Sequence, residues 1–515
     1  MANFSGGGRF TSNLGTFLNV HRQMQQADAA ARARANAART EWAMRHAKPS
    51  GKLGDSRLAD ADDVTRAGLL DPRRGLFLGA FEGKLLWFPR DESLLTYLRT
   101  GGGKGVSLIQ PALAHVKDRT LIVTDVKNGE LAWSSAKHRS ETLDIPSVFV
   151  NPYNLHGYPN TRINPLQRLI AIAAAGEGFD GEAETIAHIL LPLPRADSDN
   201  AWVRKGAIEL ACMRMEFTAK FDPTNCTLGD LWRFVNGDGL HYAGVFSLMS
   251  TCGDESIERR AQSYDRMRED APKQWEAIRS ELASAVSVFE PTKSLGRSSA
   301  AHDVDLNRLK SEPHTLYIML PVNKLDVAAP FASLIVNLLI ETLAAAPGGV
   351  RATFILDEFA NFPKVPGLLR SLRLHRSLGL QYWFFAQGRH SMTGKWSGDE
   401  VREIEDQVGC TIYRNVWEPD LIKDIELWSG MRTIFSHGVS HNGGTVETGA
   451  TNLGETKRPV LQAEDILALG TGQQIIRMTS MPRLLVADAV PYFEIEPWCC
   501  QLRDVRVLHR GSDRE

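Results

Sequence analysis

Two short stretches carry residue types that together handle phosphate. In Gly101-Gly102-Gly103-Lys104-Gly105, glycines let backbone N–H groups turn toward phosphate oxygens, and the lysine supplies a cation that reaches β- and γ-phosphates. Thr100 precedes this run, and Val106-Ser107-Leu108-Ile109 follows it as the start of a helix, whose N-terminus completes an anion cradle. In Phe354-Ile355-Leu356-Asp357-Glu358, an apolar strand ends in two carboxylates. There an aspartate holds Mg2+ through water, and a glutamate orients or deprotonates the attacking water. Each stretch alone has a plainer reading, a surface turn and an acidic helix cap. Joined on one α/β pattern, they define a nucleotide-hydrolysing site with ATP and Mg2+ as cofactors.

The loop departs from the full pattern at two places. Leu98 stands where a first glycine is expected, and Gly105 replaces the Ser or Thr that usually holds the metal, leaving Thr100 or Ser107 as substitutes. Other strand ends add to the site. Gln387 closes the apolar run 382–386 and is placed to sense the γ-phosphate or orient water. Asp125 and Lys127, with Glu130 close behind, follow another buried strand, at the carboxyl edge where open α/β sheets bind ligands. Residues 359–398 contain no acid but hold Lys364, Arg370, Arg373, Arg376, Arg389 and Lys395. On a helix starting near Val365, Arg376 continues the face of Val365, Leu369 and Leu372. It serves either to bond the last helical carbonyls or as an arginine finger for a neighbouring subunit. The basic run itself is either a solvated face or the wall of a DNA channel.

Parallel strands are needed to bring such loops together. Short apolar runs bounded by turn residues occur at 121–125, 147–150, 315–320, 353–356, 382–385 and 411–413, separated by helical patterns. That predicts a mostly parallel, doubly wound α/β sheet. Residues 175–305 show helical spacing with few strand signals and read as an all-α insertion. Residues 433–456, rich in Gly, Ser, Thr and Asn, read as a loop or flexible hairpin. Residues 1–50 form a basic, alanine-rich helical arm, either solvated or tethering the chain to an anionic surface.

A chain of 515 residues with 43% hydrophobic and 23% charged residues predicts two or three globular domains. A net charge of -2 excludes a uniformly cationic nucleic-acid binder, so any DNA contact must be local. The six cysteines lack metal-ligand spacing and predict a reducing compartment. The longest apolar run, 331–346, contains Asn337 and Glu341 and predicts a buried helix instead of a membrane span.

Taken together, the chain resembles the type IV secretion coupling proteins of the TraG kind. Residues 100–106 are similar to that family's phosphate loop, in which glycine after the lysine is usual. Asp125-Val126-Lys127-Asn128-Gly129-Glu130 resembles its Asp-Ile-Lys-Gly-Glu motif, and Asn164-Pro165-Leu166 its Asn-Pro-Leu region. Leu356-Asp357-Glu358-Phe359, Arg376-Ser377-Leu378-Gly379, Gln387, Arg458-Pro459-Val460-Leu461 and Met481-Pro482 match in the same order. The resemblance implies a RecA-like P-loop NTPase fold split as 51–174 and 306–496 around the insertion 175–305, with an arm 1–50 and a tail 497–515. It implies Mg2+ held through water at Asp357, and catalysis by Glu358, Arg376 and Gln387. Nucleotide binding then falls to Thr100, Gly101, Gly102, Gly103, Lys104, Gly105, Val106, Asp125 and Lys127. Implied partners are DNA, relaxase-type proteins, the type IV machinery at the inner membrane, and five further copies in a homo-hexamer. The expected place is the cytoplasmic face of that membrane, without a transmembrane anchor. The alternatives are a substrate-receptor adaptor with weak or no ATPase activity, or another RecA-like DNA translocase.

Overall fold

The structure is a computed structural model, described for residues 10–46, 48–73, 75–179, 181–193, 201–440 and 450–511. The strands in chain order are β1 (Leu76–Phe81), β2 (Lys84–Phe88), β3 (Leu94–Leu98), β4 (Arg119–Asp125), β5 (Ser147–Val150), β6 (Thr315–Met319) and β7 (Arg351–Leu356). They continue as β8 (Leu380–Ala386), β9 (Cys410–Arg414), β10 (Met431–Ser440), β11 (Ala450–Pro459), β12 (Gln473–Met478) and β13 (Met481–Asp488). Among the described residues, eleven strands form one sheet in the order β2-β1-β13-β12-β9-β3-β8-β7-β4-β6-β5. The seven strands from β9 to β5 are parallel, and the other four join antiparallel. All six strands expected from apolar runs are present, and the mostly parallel α/β expectation holds.

The parallel strands are buried on both faces, which explains their unbroken hydrophobicity. Side chains alternate across the sheet. Leu121 and Val123 of β4 pack with Leu108, Leu113, Leu131 and Ala136 on one side. Ile122 packs on the other with Phe354, Tyr382, Leu334 and Leu338. That second core continues without a break into Leu169, Ile186, Leu210, Phe234 and Trp275. Between β5 and β6 the described residues form helices, 3-10 turns and loops only. They include Ala201–Phe221, Glu255–Asp270 and Pro272–Val286. Among the described residues one helix, Val322–Ala345, is long and apolar enough to cross a membrane, and 78% of its apolar window is buried inside the fold.

Of the antiparallel wing, the sequence marked only the start of β13, Met481-Pro482, and that through the family resemblance. Gly79 interrupts β1, and a glycine normally argues against a strand interior. Here φ is +121° and a Cβ would meet the Asp488 carbonyl oxygen at 2.4 Å, so only glycine admits β13 alongside.

The chain falls into two compact units, Met1–Arg57 with Ser429–Val460, and Leu58–Trp428 with Leu461–Glu515. The smaller contains the helix Phe10–His46, whose described residues 20–32 are exposed, in keeping with its polar, basic sequence. It also contains the hairpin of β10 and β11, paired from Met431 with Pro459 to Ser440 with Ala450. The segment read as a loop or flexible hairpin is this hairpin, and its residues 441–449 lie outside the described residues, as do Arg9 of the arm and 512–515 of the tail.

Candidate functional site

Strand β3 delivers the chain into the glycine loop. Gly101 and Gly103 both have φ of +80°, conformations that side-chain-bearing residues avoid. A Cβ on Gly102 would lie 2.4 Å from Leu98 Cδ1. Leu98, the departure from the expected glycine, is thus the buried floor of the loop. Beyond Lys104 the chain makes one widened π turn, Gly105–Ile109, before the α-helix Gln110–His115. Such turns recur at functional sites.

Strand β8 lies between β3 and β7, so the loops leaving these three strands are neighbours at one sheet edge. Lys104 Nζ lies 2.7 Å from Asp357 Oδ1 and also pairs with Glu358 Oε1. Burial opposes the charge of Lys104, but the two carboxylates outweigh it and hold the ammonium above its usual pKa. Burial raises the Asp357 carboxyl, with Lys104 and Lys127 pulling it back down. Glu358 sits at φ +52°, a left-handed conformation unusual for glutamate and held by its surroundings. Gln387, Lys127, Asn128, Glu130 and Val322 join the loop around a cavity of about 440 Å³ that also includes Thr100, Gly105 and Val106.

Two expected residues are placed elsewhere. Asp125 does not line the cavity. It is fully buried behind it, where its Oδ2 accepts the Ala132 N–H at 2.8 Å and caps the following helix. Arg376 lies at the opposite sheet edge, in the turn His375–Leu378 that leads into β8, with Nη2 3.1 Å from Glu92 Oε1. The length of β8, about 20 Å at ~3.3 Å per residue, separates it from Gln387. It is no part of this chain's own cavity. The helix expected to carry it ends at Leu374, and Gly379 in the left-handed region closes the turn.

Four of the neighbouring cations are also paired. Lys364 pairs with Glu400, Arg370 with Glu341, Arg373 with Glu403, and Arg389 with both Glu405 and Asp424. The acid-free segment therefore meets acids from other elements, which argues against its forming a DNA-channel wall.

Arg414, at the end of β9, escaped the sequence reading. It is 2% exposed and donates to the Gly102 carbonyl at 3.1 Å, Ser107 Oγ at 2.5 Å and Gln474 Oε1 at 2.7 Å. Burial lowers its pKa to about 10. Ser107 Oγ in turn donates to the Gly103 carbonyl at 2.7 Å. Its hydroxyl is thus occupied inside the loop, which leaves Thr100 as the hydroxyl facing the cavity. A second buried guanidinium, Arg139, bonds the Leu113 carbonyl at 3.1 Å and the Val116 carbonyl, closing the other end of the same helix.

Asp125 gives a pH signature. Burial pushes its carboxyl up to about 7, against the pull of the Ala132 and Leu131 N–H groups. A carboxyl raised above its unfolded value is protonated on folding. Its contribution is fully present below about pH 4 and is lost as pH rises through about 7, at up to ~1.4 kcal/mol per pH unit. Asp125→Asn keeps an acceptor for Ala132 and removes this titration. It should gain stability relative to wild type across that window, measured by urea unfolding at a series of pH values. Parallel pH profiles for the two proteins would refute this.

The glycine loop on β3, the acidic end of β7 and the intervening β8 ending in Gln387 define a RecA-like P-loop NTPase fold. A family model described as type IV secretory system conjugative DNA transfer matches residues 50–506. The chain belongs to this family of conjugative coupling proteins, and its role lies in DNA transfer through a type IV system. The conjugal transfer protein TraG of Escherichia coli is 22% identical over 462 residues, covering 81% of this chain and 71% of that protein. A second TraG from Escherichia coli is 23% identical over 463 residues, with the same coverage of both chains. Among solved structures, the plasmid coupling protein TrwB in complex with the ATP analogue ADPNP superposes with a TM-score of 0.63 at 13% identity, covering 87% of this chain and 96% of that one. TrwB with ADP and Mg2+ gives 0.60 at 13% identity, covering 85% and 94%. The family and fold expected from the sequence are therefore met.

Proposed function

We propose that the chain is an ATP-driven motor that couples DNA or DNA–protein substrates to the type IV machinery. The observation that carries this reading is the ion cluster of Lys104 with Asp357 and Glu358 beside the glycine loop. The donor set fits Mg2+-nucleotide: a buried carboxylate at a strand end, a cation, and N–H groups on a left-handed glycine loop. Bound Mg2+ would neutralise developing phosphate charge. The loop from Thr100 to Val106 would cradle phosphates, Lys104 and Lys127 would supply cations, and Asp357 would hold the metal. Glu358 takes the proton of the attacking water, and Gln387 orients that water. Asp125 serves this site from behind, by fixing the helix that follows Lys127.

Arg376 is 56% exposed and remote from its own cavity, which supports a role toward a neighbour's nucleotide in a homo-hexamer. Relaxase-type proteins are the expected cargo, with the helical segment 175–305 as the domain that selects it. The working place is the cytoplasmic face of the inner membrane.

The test is steady-state ATP hydrolysis with and without DNA. Lys104→Ala should abolish both the basal and the DNA-stimulated rate, since removing the lysine also leaves two carboxylates facing each other. One observation favours a weaker enzyme acting as a receptor: glycine at 105 and an occupied Ser107 hydroxyl leave few metal ligands. If Lys104→Ala supports DNA transfer in cells as well as wild type, the receptor reading replaces the motor.

A further inference from the structure

Five of the six cations of the acid-free segment are paired with acids, so another basic surface is better placed to hold nucleic acid. At the same sheet edge as the nucleotide cavity, beyond the ends of β5 and β6, lies a second cavity of about 440 Å³. Its wall includes Tyr153, Thr292, Lys293, Arg297, Lys324 and Val327, and among the described residues no carboxylate lines it. Lys324 Nζ stands 4.8 Å from the centre of the half-buried Tyr153 ring. Lys293 shares its charge with Glu290 at 3.1 Å, and the exposed Arg297 donates one N–H to the Thr292 carbonyl. Asp326, the nearest acid in sequence to Lys324, is exposed outside the cavity wall.

We propose that this cavity binds single-stranded nucleic acid, with a base on Tyr153 and backbone phosphates on Lys324 and Arg297. Resting on the motor reading above, it names where the substrate touches the chain. Cations tracking a backbone beside an aromatic face are what single strands require, because every base offers a π face. An acidic peptide would satisfy the cations and make no use of the ring face that Lys324 now covers.

The two cavities share a wall. The 3-10 turn Val322–Lys324 puts Val322 on the nucleotide cavity and Lys324 on the basic one. The Val322 N–H donates to Asn128 Oδ1 at 3.0 Å, and the Asn128 carbonyl meets His156 Nε2 at 2.7 Å. A strand drawn onto Lys324 therefore pulls on a turn whose other end borders the nucleotide. This provides a short route for DNA to stimulate hydrolysis.

The experiment measures binding of a short fluorescent oligothymidylate to the full chain by anisotropy, over a range of salt concentrations. For Lys324→Ala with Arg297→Ala, affinity should fall and the slope of log K against log salt should shrink by about 0.7 per cation removed. Tyr153→Leu should weaken binding by on the order of tenfold at an unchanged salt slope, and Tyr153→Phe should bind as wild type. Binding of a fluorescent ATP analogue and the thermal midpoint should be retained in all variants. Wild-type-like oligonucleotide binding by the variants would overturn the site and leave the motor reading standing. Loss with the cation variants but not with Tyr153→Leu would overturn the nucleic-acid assignment in favour of an acidic partner. A wild-type chain that binds no oligonucleotide, with or without nucleotide, would sink both readings.

Discussion

Glu358→Gln protein is expected to bind ATP about as well as wild type and to hydrolyse it about 10²–10⁴-fold more slowly, the usual contribution of a positioned general base. The substitution conserves shape and the left-handed backbone at this position, and it leaves Lys104 its partner Asp357 at 2.7 Å. What is lost is the ability to accept a proton. Glu358→Ala would be less informative, since it also opens space beside a lysine that is only 12% exposed. Single-turnover phosphate release together with fluorescent-nucleotide binding separates chemistry from affinity. Hydrolysis at the wild-type rate would remove Glu358 from the mechanism.

The second large effect is expected at Arg414. Its burial costs about 3 kcal/mol, judged from a pKa lowered from 12.5 to about 10. Its three hydrogen bonds involve a charged donor, each contributing ~1.5–3 kcal/mol. The bonds together outweigh that cost by ~1.5 kcal/mol or more, so Arg414→Met should unfold more easily than wild type. Nucleotide handling should suffer as well. The Gly102 carbonyl and Ser107 hydroxyl would lose the donor that fixes them, and the loop would lose a cation beneath the phosphates. A rise of roughly ten- to a hundredfold in KM for ATP, about 1.4–2.8 kcal/mol, should exceed the fall in kcat. Arg414→Lys keeps the charge but not the fork, and should fall between the two. Equal losses of kcat and stability without a KM effect would show that Arg414 only holds the core together.

The parts legible in the sequence were those written contiguously. The glycine loop and the acidic strand end each fit within a few residues. Strands β4 to β9 announce themselves as unbroken apolar runs because both of their faces are covered. Strand β3, though it carries the loop, ends two residues before the glycines and reads as part of the loop instead of as a separate run. The wing of β1, β2, β12 and β13 pairs antiparallel and includes glycine where a partner backbone approaches. Arg414 gave no local signal, because its partners lie 312, 307 and 60 residues away. Asp125 sits in a motif that marks the right neighbourhood, but spacing alone does not tell a carboxylate that faces a ligand from one that caps a helix. Likewise the acid-free run 359–398 looks unbalanced only along the chain, since its counter-ions Glu92, Glu341, Glu400, Glu403, Glu405 and Asp424 come from outside it or beyond its end.

The position of β3 in the sheet also constrains how the molecule comes into being. Both of its neighbours, β8 and β9, are translated long after it. At roughly 5–20 residues per second, the 312 residues between Gly102 and Arg414 keep the loop waiting about 15–60 s on the ribosome. Until β8 emerges, late in that interval, β3 has no strand on either side, and its apolar residues lack their neighbours in the sheet. Nascent chains of this protein should therefore depend on chaperone shielding until β9 emerges. Fragments ending before Cys410 should be aggregation-prone and unable to hold nucleotide, however intact their glycine loop.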